Sequence, residues 1–182
     1  GAPYDDRAAS DAGAAYVYEF VQIFGGIWLQ SAKLMAADGD NFDNFGSDVG
    51  VSGTWAIVGA RSDEAGGSAY LFQDTGSAWP QKQKLHPAGL SNSANYGYAV
   101  AIDGNIAVVG APDFSTGTGK VYVYENFGLS GWLLTATLTA HDGAVGDSFG
   151  ASLSIAGDKV LIGAPNALGG KGAAYLYWRV NG

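Results

Sequence analysis

Asp38, Asp40 and Asp43 stand within six residues of one another, and Asp142 and Asp147 recur in a related segment downstream. Carboxylates two to five positions apart on a loop are the ligand type of a hard cation such as calcium, which gathers about six to eight oxygens. Calcium is the one cofactor the sequence raises. A second set, Asp5, Asp6, Asp11, Asp63, Glu64 and Asp113, follows Gly-Ala segments and could contact a ligand directly or through a cation. The two sets hold 11 of the 17 acidic residues. Turn formation competes with this reading, because Asp-Gly nucleates turns and Asp side chains cap loose amides. The corresponding middle segment, HPAGLSNSANYG, has no acid, so any such site is local to particular segments. Catalytic residues are not expected. The two histidines, His86 and His141, sit at comparable places and read as structural, and there is no nucleophile elbow, zinc motif or P-loop.

The bulk properties narrow the partners. A net charge of -8 with only nine Lys and Arg disfavours nucleic acid, which is bound through clustered cations. No run approaches the ~18 apolar residues of a membrane helix. The chain has no cysteine, so neither disulfides nor thiolate metal sites enter.

The acids are positioned by a repeat. Gly-Ala-Pro or a variant starts at Gly1, Gly59, Gly110 and Gly163, intervals of 51 to 58 residues. An aromatic-Gly pair stands at Phe45-Gly46, Tyr96-Gly97 and Phe149-Gly150, each 17 residues after a tryptophan, Trp28, Trp79 or Trp132. Such a period marks stacked supersecondary units. The three tryptophans in register read as structural, whereas Trp55 and Trp178 are out of register.

Each unit reads as four short strands. The first is expected to start at the aromatic-Gly (FGSDVGV, YGYAVAI, FGASLSI), with a large face at Val49, Val51, Val100, Ile102, Leu153 and Ile155 and a small face opposite. Period two means strand, and a small face means close approach of a neighbour. A Gly-containing turn leads to an almost wholly apolar second strand (TWAIVGA, NIAVVGAP, KVLIGAP), as burial on both faces requires. The third alternates aromatics (GAAYVYE, GSAYLFQ, GKVYVYE, GAAYLYW), and the fourth carries Trp and Leu (WLQSAKLMA, WPQKQKLHP, WLLTATLTA). Helix signals are absent. The expected fold is all-β, a β-propeller of four-stranded antiparallel blades.

These motifs, FG…GAP…Tyr-x-Tyr three times in register, resemble the FG-GAP repeat of integrin alpha-subunit propellers and of many extracellular proteins. The resemblance covers essentially the whole chain. It implies an extracellular or cell-surface, non-catalytic module for binding or adhesion, with a protein or glycan ligand at the rim that carries the acidic loops. One departure stands out. The integrin calcium loop DxDxDGxxD lies between first and second strands, where this chain has only V-S-G-T, I-D-G-N and I-A-G-D, too few oxygens for calcium. The integrin calcium site is therefore not expected here, and any cation would sit at Asp38, Asp40 and Asp43 or at Asp142 and Asp147, on the opposite rim.

The segment divides into a partial blade (1–44), two blades (45–95 and 96–148) and a second partial blade (149–182), about three and a half blades where the family usually has about seven. The expected partner is the remainder of a larger ring or a second copy of the chain. Two further readings remain open, a structural building block of a surface assembly associating through open blade edges, and a propeller domain accessory to an enzyme.

Overall fold

The computed structural model describes residues 1–5, 12–23 and 25–180. The described residues form four antiparallel sheets. The first pairs β1 (Ala15–Val21) with β2 (Ile27–Leu34), and residue Ala2 bridges Ala14 beside them. The second holds β3 (Phe45–Ser52), β4 (Trp55–Ala60), β5 (Ser68–Gln73) and β6 (Gln81–Leu85) in chain order. The third repeats that order with β7 (Ala99–Asp103), β8 (Ile106–Ala111), β9 (Lys120–Asn126) and β10 (Trp132–Leu138). The fourth holds β11 (Ser152–Ala156), β12 (Lys159–Ala164) and β13 (Ala173–Trp178). These sheets are propeller blades, numbered one to four below. The all-β expectation and the order of strands within each blade hold, although β6 begins at Gln81 and leaves Trp79 before it.

The inner strands differ from expectation at their starts. β7 and β11 begin three residues after the aromatic residue of the pair, at Ala99 and Ser152, and β3 has a register irregularity between Phe45 and Val49. The cause is local. Asn95 and Gly97 in one copy, and Ser148 and Gly150 in another, have positive φ, and Tyr98 N–H closes a turn onto Asn95 O. The chain therefore bends at the aromatic-Gly before it extends.

That bend explains the repeat signature. The GAP glycine of each blade lies against the aromatic-Gly glycine of the next: a Cβ built on Gly59 would overlap the carbonyl of Gly97, and one on Gly110 that of Gly150. The amide of the aromatic residue donates across the same seam, Tyr96 N–H to Gly66 O at 2.7 Å and Phe149 N–H to Thr118 O at 3.1 Å. Neighbouring blades thus meet backbone to backbone, and only glycine leaves room for that approach.

Side chains complete the stacking. Val100 and Ile102, on the large face of β7, join Ile57 and Leu71 of the preceding blade in one buried cluster. Gly50, on the small face of β3, lies against Ile102 and Ala101. Large faces therefore enter small ones between blades two and three and between three and four, whereas Val49 and Val51 of β3 stand exposed. Asp48 lies at this seam. Its carboxylate accepts from Val49 N–H and, at 2.8 Å, from Val100 N–H of the next inner strand. Ser52 Oγ and Asp103 Oδ2 likewise accept from Gly104 and Gly157 N–H.

The tryptophans in register divide by neighbour. Trp132 is buried and meets Trp55 of the preceding blade edge to face at 5.2 Å, with its backbone pinned on both sides by the Gln83 amide. Among the described residues its indole N–H has no hydrogen-bond acceptor, and the aromatic packing offsets part of that loss. Trp79 packs against the cluster shared with the first blade. Trp28, on the corresponding face of the first blade, is 68% exposed.

Candidate ligand-binding rim

The loops that follow second strands and the loops that precede inner strands converge on one rim. Within blades two to four, Ser62, Asp113 and Asn166 donate their N–H to the carbonyls of Asp43, Ala94 and Asp147. These three contacts also set the correspondence between copies. Asp113 corresponds to Ser62, one position before Asp63, and Phe114 stands where Asp63 does.

Lys84 organises the second-blade rim. Its ammonium lies 2.7 Å from Asp38, 2.9 Å from Asp63 and 2.7 Å from Glu64. It also sits over the ring of Tyr70, its cross-strand partner, whose hydroxyl donates to Asp63 at 2.6 Å. Asp63 and Tyr70 are buried. Burial alone would lower the Lys84 pKa, but the three carboxylates and Tyr70 raise it well above the ordinary lysine value. Burial likewise opposes ionisation of Asp38, and the bonds from Lys84 and Tyr70 outweigh it, holding the carboxyl below its usual range. The first blade repeats the device, for Tyr16 pairs across strands with Lys33, and Asp5 accepts from the Tyr16 hydroxyl at 2.6 Å and lies 3.2 Å from Lys33.

The other acids hold loops. Asp43 is buried and accepts from Asp40 N–H at 2.6 Å; burial pushes its carboxyl up against that amide. Asp147 accepts from Ala144 N–H at 2.7 Å in the matching turn. Asp142 accepts from the Tyr175 hydroxyl, which lowers the Asp142 pKa and pushes the tyrosine up to about 12. Asp113 is met by Ser91, Ser93 and the N–H and hydroxyl of Thr116; burial works against its ionisation, but these donors hold the carboxyl below its usual range. Asp6 and Asp11 lie outside the described residues. Among the described residues, no three acids or histidines come together as a metal-binding group. His86 Nδ1 lies 3.0 Å from Gly67 O at the second-blade rim, and His141 stacks edge-on against Tyr175.

The third-blade rim is built differently. Tyr122 keeps the tyrosine position, but its cross-strand partner is Thr137 where the sister blades have lysine. Phe114 replaces Asp63 and leans edge-on against Tyr98 at 4.9 Å. Ala88, immediately before Gly89, stands where Asp38 and Asp142 precede their glycines. With the ion cluster gone, a cavity of about 380 Å³ opens, lined by Leu90, Ser91, Asp113, Thr116, Lys120 and Tyr122 among others. Sequence reasoning placed Asp113 here but missed the serines and Tyr122. The absence of acid from HPAGLSNSANYG was the available signal.

A family model described as the FG-GAP repeat matches residues 28–72, 79–124 and 132–177. The chain belongs to the FG-GAP repeat family. Each match in this FG-GAP chain runs from a fourth-strand tryptophan to the third strand of the next blade, so it spans a glycine seam. Integrin alpha-7 of Mus musculus is 34% identical over 113 residues, 55% of this chain and 9% of that protein. Integrin alpha-7 of Rattus norvegicus matches at the same identity and span, over 10% of its length. The match thus covers about a tenth of the curated relatives. No helix among the described residues is long and apolar enough to cross a membrane.

Proposed function

We propose that this FG-GAP chain is a non-catalytic binding module of the extracellular adhesion type, taking a protein or glycan ligand at the rim of its acidic loops. One observation carries the reading: ion clusters fill the rim of the first two blades, while the third-blade rim opens a polar cavity. The sequence shared with integrin alpha-7 supports it. Lys84 already compensates Asp38, Asp63 and Glu64, so this reading needs no calcium. Screening the chain over immobilised glycans and extracellular proteins is expected to retain a ligand equally in calcium and in EDTA, with the thermal midpoint moved by less than about 1 °C, since a cation without a site adds nothing to stability. A folded chain that retains nothing would end the proposal. Loss of binding and of several degrees in EDTA would restore a cation at Asp38, Asp40 and Asp43 or at Asp142 and Asp147.

A second reading, association through blade edges with a second copy or with further blades, is favoured by exposed apolar side chains at both ends of the stack. Trp28 and Phe20 stand open on the first blade, and Trp178 on the edge strand β13, which pairs with β12 alone. Light scattering across a hundredfold concentration range is expected to show mass rising with concentration, as exposed edges and apolar patches promote association. A constant monomer mass would remove self-association.

A further inference from the structure

We propose that the third-blade cavity is a site for a neutral saccharide unit, one pyranose ring of a glycan; this deepens the binding-module reading and rests on it. The sister blades show what the cavity has lost. In blade two the equivalent space is filled by an ammonium and the carboxylates of Asp38, Asp63 and Glu64. In blade three the corresponding residues are Thr137, Ala88, Phe114 and Ser115, and all four charges are gone. A cationic ligand would find none of the counter-charges that hold Lys84.

What remains suits a sugar. The cavity, at about 380 Å³, falls in the size range of small-ligand pockets. Its lining offers the hydroxyls of Ser91, Thr116 and Tyr122 for hydrogen bonding, and Leu90, Ala94 and Ala111 for the C–H face of a ring. Among the described residues the Tyr122 hydroxyl has no hydrogen-bond partner, and burial alone raises its pKa. By contrast, the Tyr70 hydroxyl donates to Asp63. Asp113 anchors Ser91, Ser93 and Thr116, so those hydroxyls are oriented before a ligand arrives. The one carboxylate and one ammonium in the lining, Asp113 and Lys120, leave it without net charge.

The test is an NMR titration of the full chain with neutral methyl glycosides of common hexoses. The expected result is shifts confined to residues 89–95 and 111–122 with a Kd on the order of 1 mM for at least one glycoside, the level set by so few ligand atoms. Tyr122→Phe should weaken binding about fivefold, the worth of one hydrogen bond. The double variant Thr137→Lys with Phe114→Asp rebuilds part of the second-blade cluster and should abolish binding while the spectrum stays folded. Shifts elsewhere, binding of N-acetyl-lysine methylamide in place of the glycosides, or glycoside binding unaffected by the double variant would each overturn the assignment. No glycoside binding, with a protein ligand still retained in the screen, would overturn the saccharide site alone and leave the binding module standing.

Discussion

Gly97→Ala is expected to destabilise the chain by about 2–5 kcal/mol. Two effects add. Gly97 has φ of +84°, a region that costs an L-residue about 1–2 kcal/mol. The new Cβ would also overlap Ser68 O and approach Ala60 N, main-chain atoms that cannot rotate away, and overpacking of this kind costs about 1–3 kcal/mol. The overlap falls on the seam where Gly97 meets Gly59 of the preceding blade, so relief requires the two blades to separate. Urea unfolding of wild type and variant measures it. As a control, Gly104→Ala also has positive φ, +56°, but its Cβ meets nothing within 4 Å; it should lose only the conformational part, about 1–2 kcal/mol. Equal losses in the two variants would mean that the seam is looser than described.

Lys84→Met is expected to destabilise by about 2–4 kcal/mol at pH 7. It leaves the buried Asp63 without its counter-charge, and breaking a buried pair from one side costs about 3–5 kcal/mol. The lower range applies because Asp38 and Glu64 are half exposed and stay partly solvated. The pH dependence identifies the cause. In wild type the depressed Asp38 pKa stabilises above the unfolded value of about 3.9 and is lost as pH falls through the folded one. The raised Lys84 pKa stabilises below about 10.4 and is lost only as pH rises through its folded value. In Lys84→Met the carboxylates repel one another instead, and acid relieves them. The gap between variant and wild type should therefore narrow as pH drops from 7 to about 4. A gap constant with pH would assign the loss to packing of the lysine stem on Tyr70.

The fold was legible because its constraints are local and repeated. Gly97, Gly110 and Gly150 recur in fixed register, and alternation in YVYE or YLFQ announces a strand without reference to anything distant. The bend at the aromatic-Gly was not legible, since the same residues also fit a continuous strand; only the positive φ at Asn95 and Ser148 separates the two. The rim was legible in part. Asp38, Asp63, Glu64 and Asp113 do lie on it, but the spacing of Asp38, Asp40 and Asp43 gave no sign of the lysine beside Asp38. Asp38 and Lys84 are 46 residues apart and meet only because neighbouring blades stack at one angle. A signal was nevertheless present, for Lys33 and Lys84 each stand five residues after a register tryptophan and immediately before a leucine. Thr137 occupies that place in the third copy.

The most direct test of the central claim, that ligand is taken at the third-blade rim, is surface plasmon resonance with a ligand retained in the screen. Wild type is compared with Asp113→Ala/Tyr122→Phe and with Leu129→Ala, a fully exposed position at the turn between β9 and β10, away from this rim. A loss of about tenfold or more is predicted for the first variant, as expected when central contacts of an interface are removed, and less than about twofold for the second. Equal affinity in wild type and the rim variant, or a loss confined to Leu129→Ala, would contradict it.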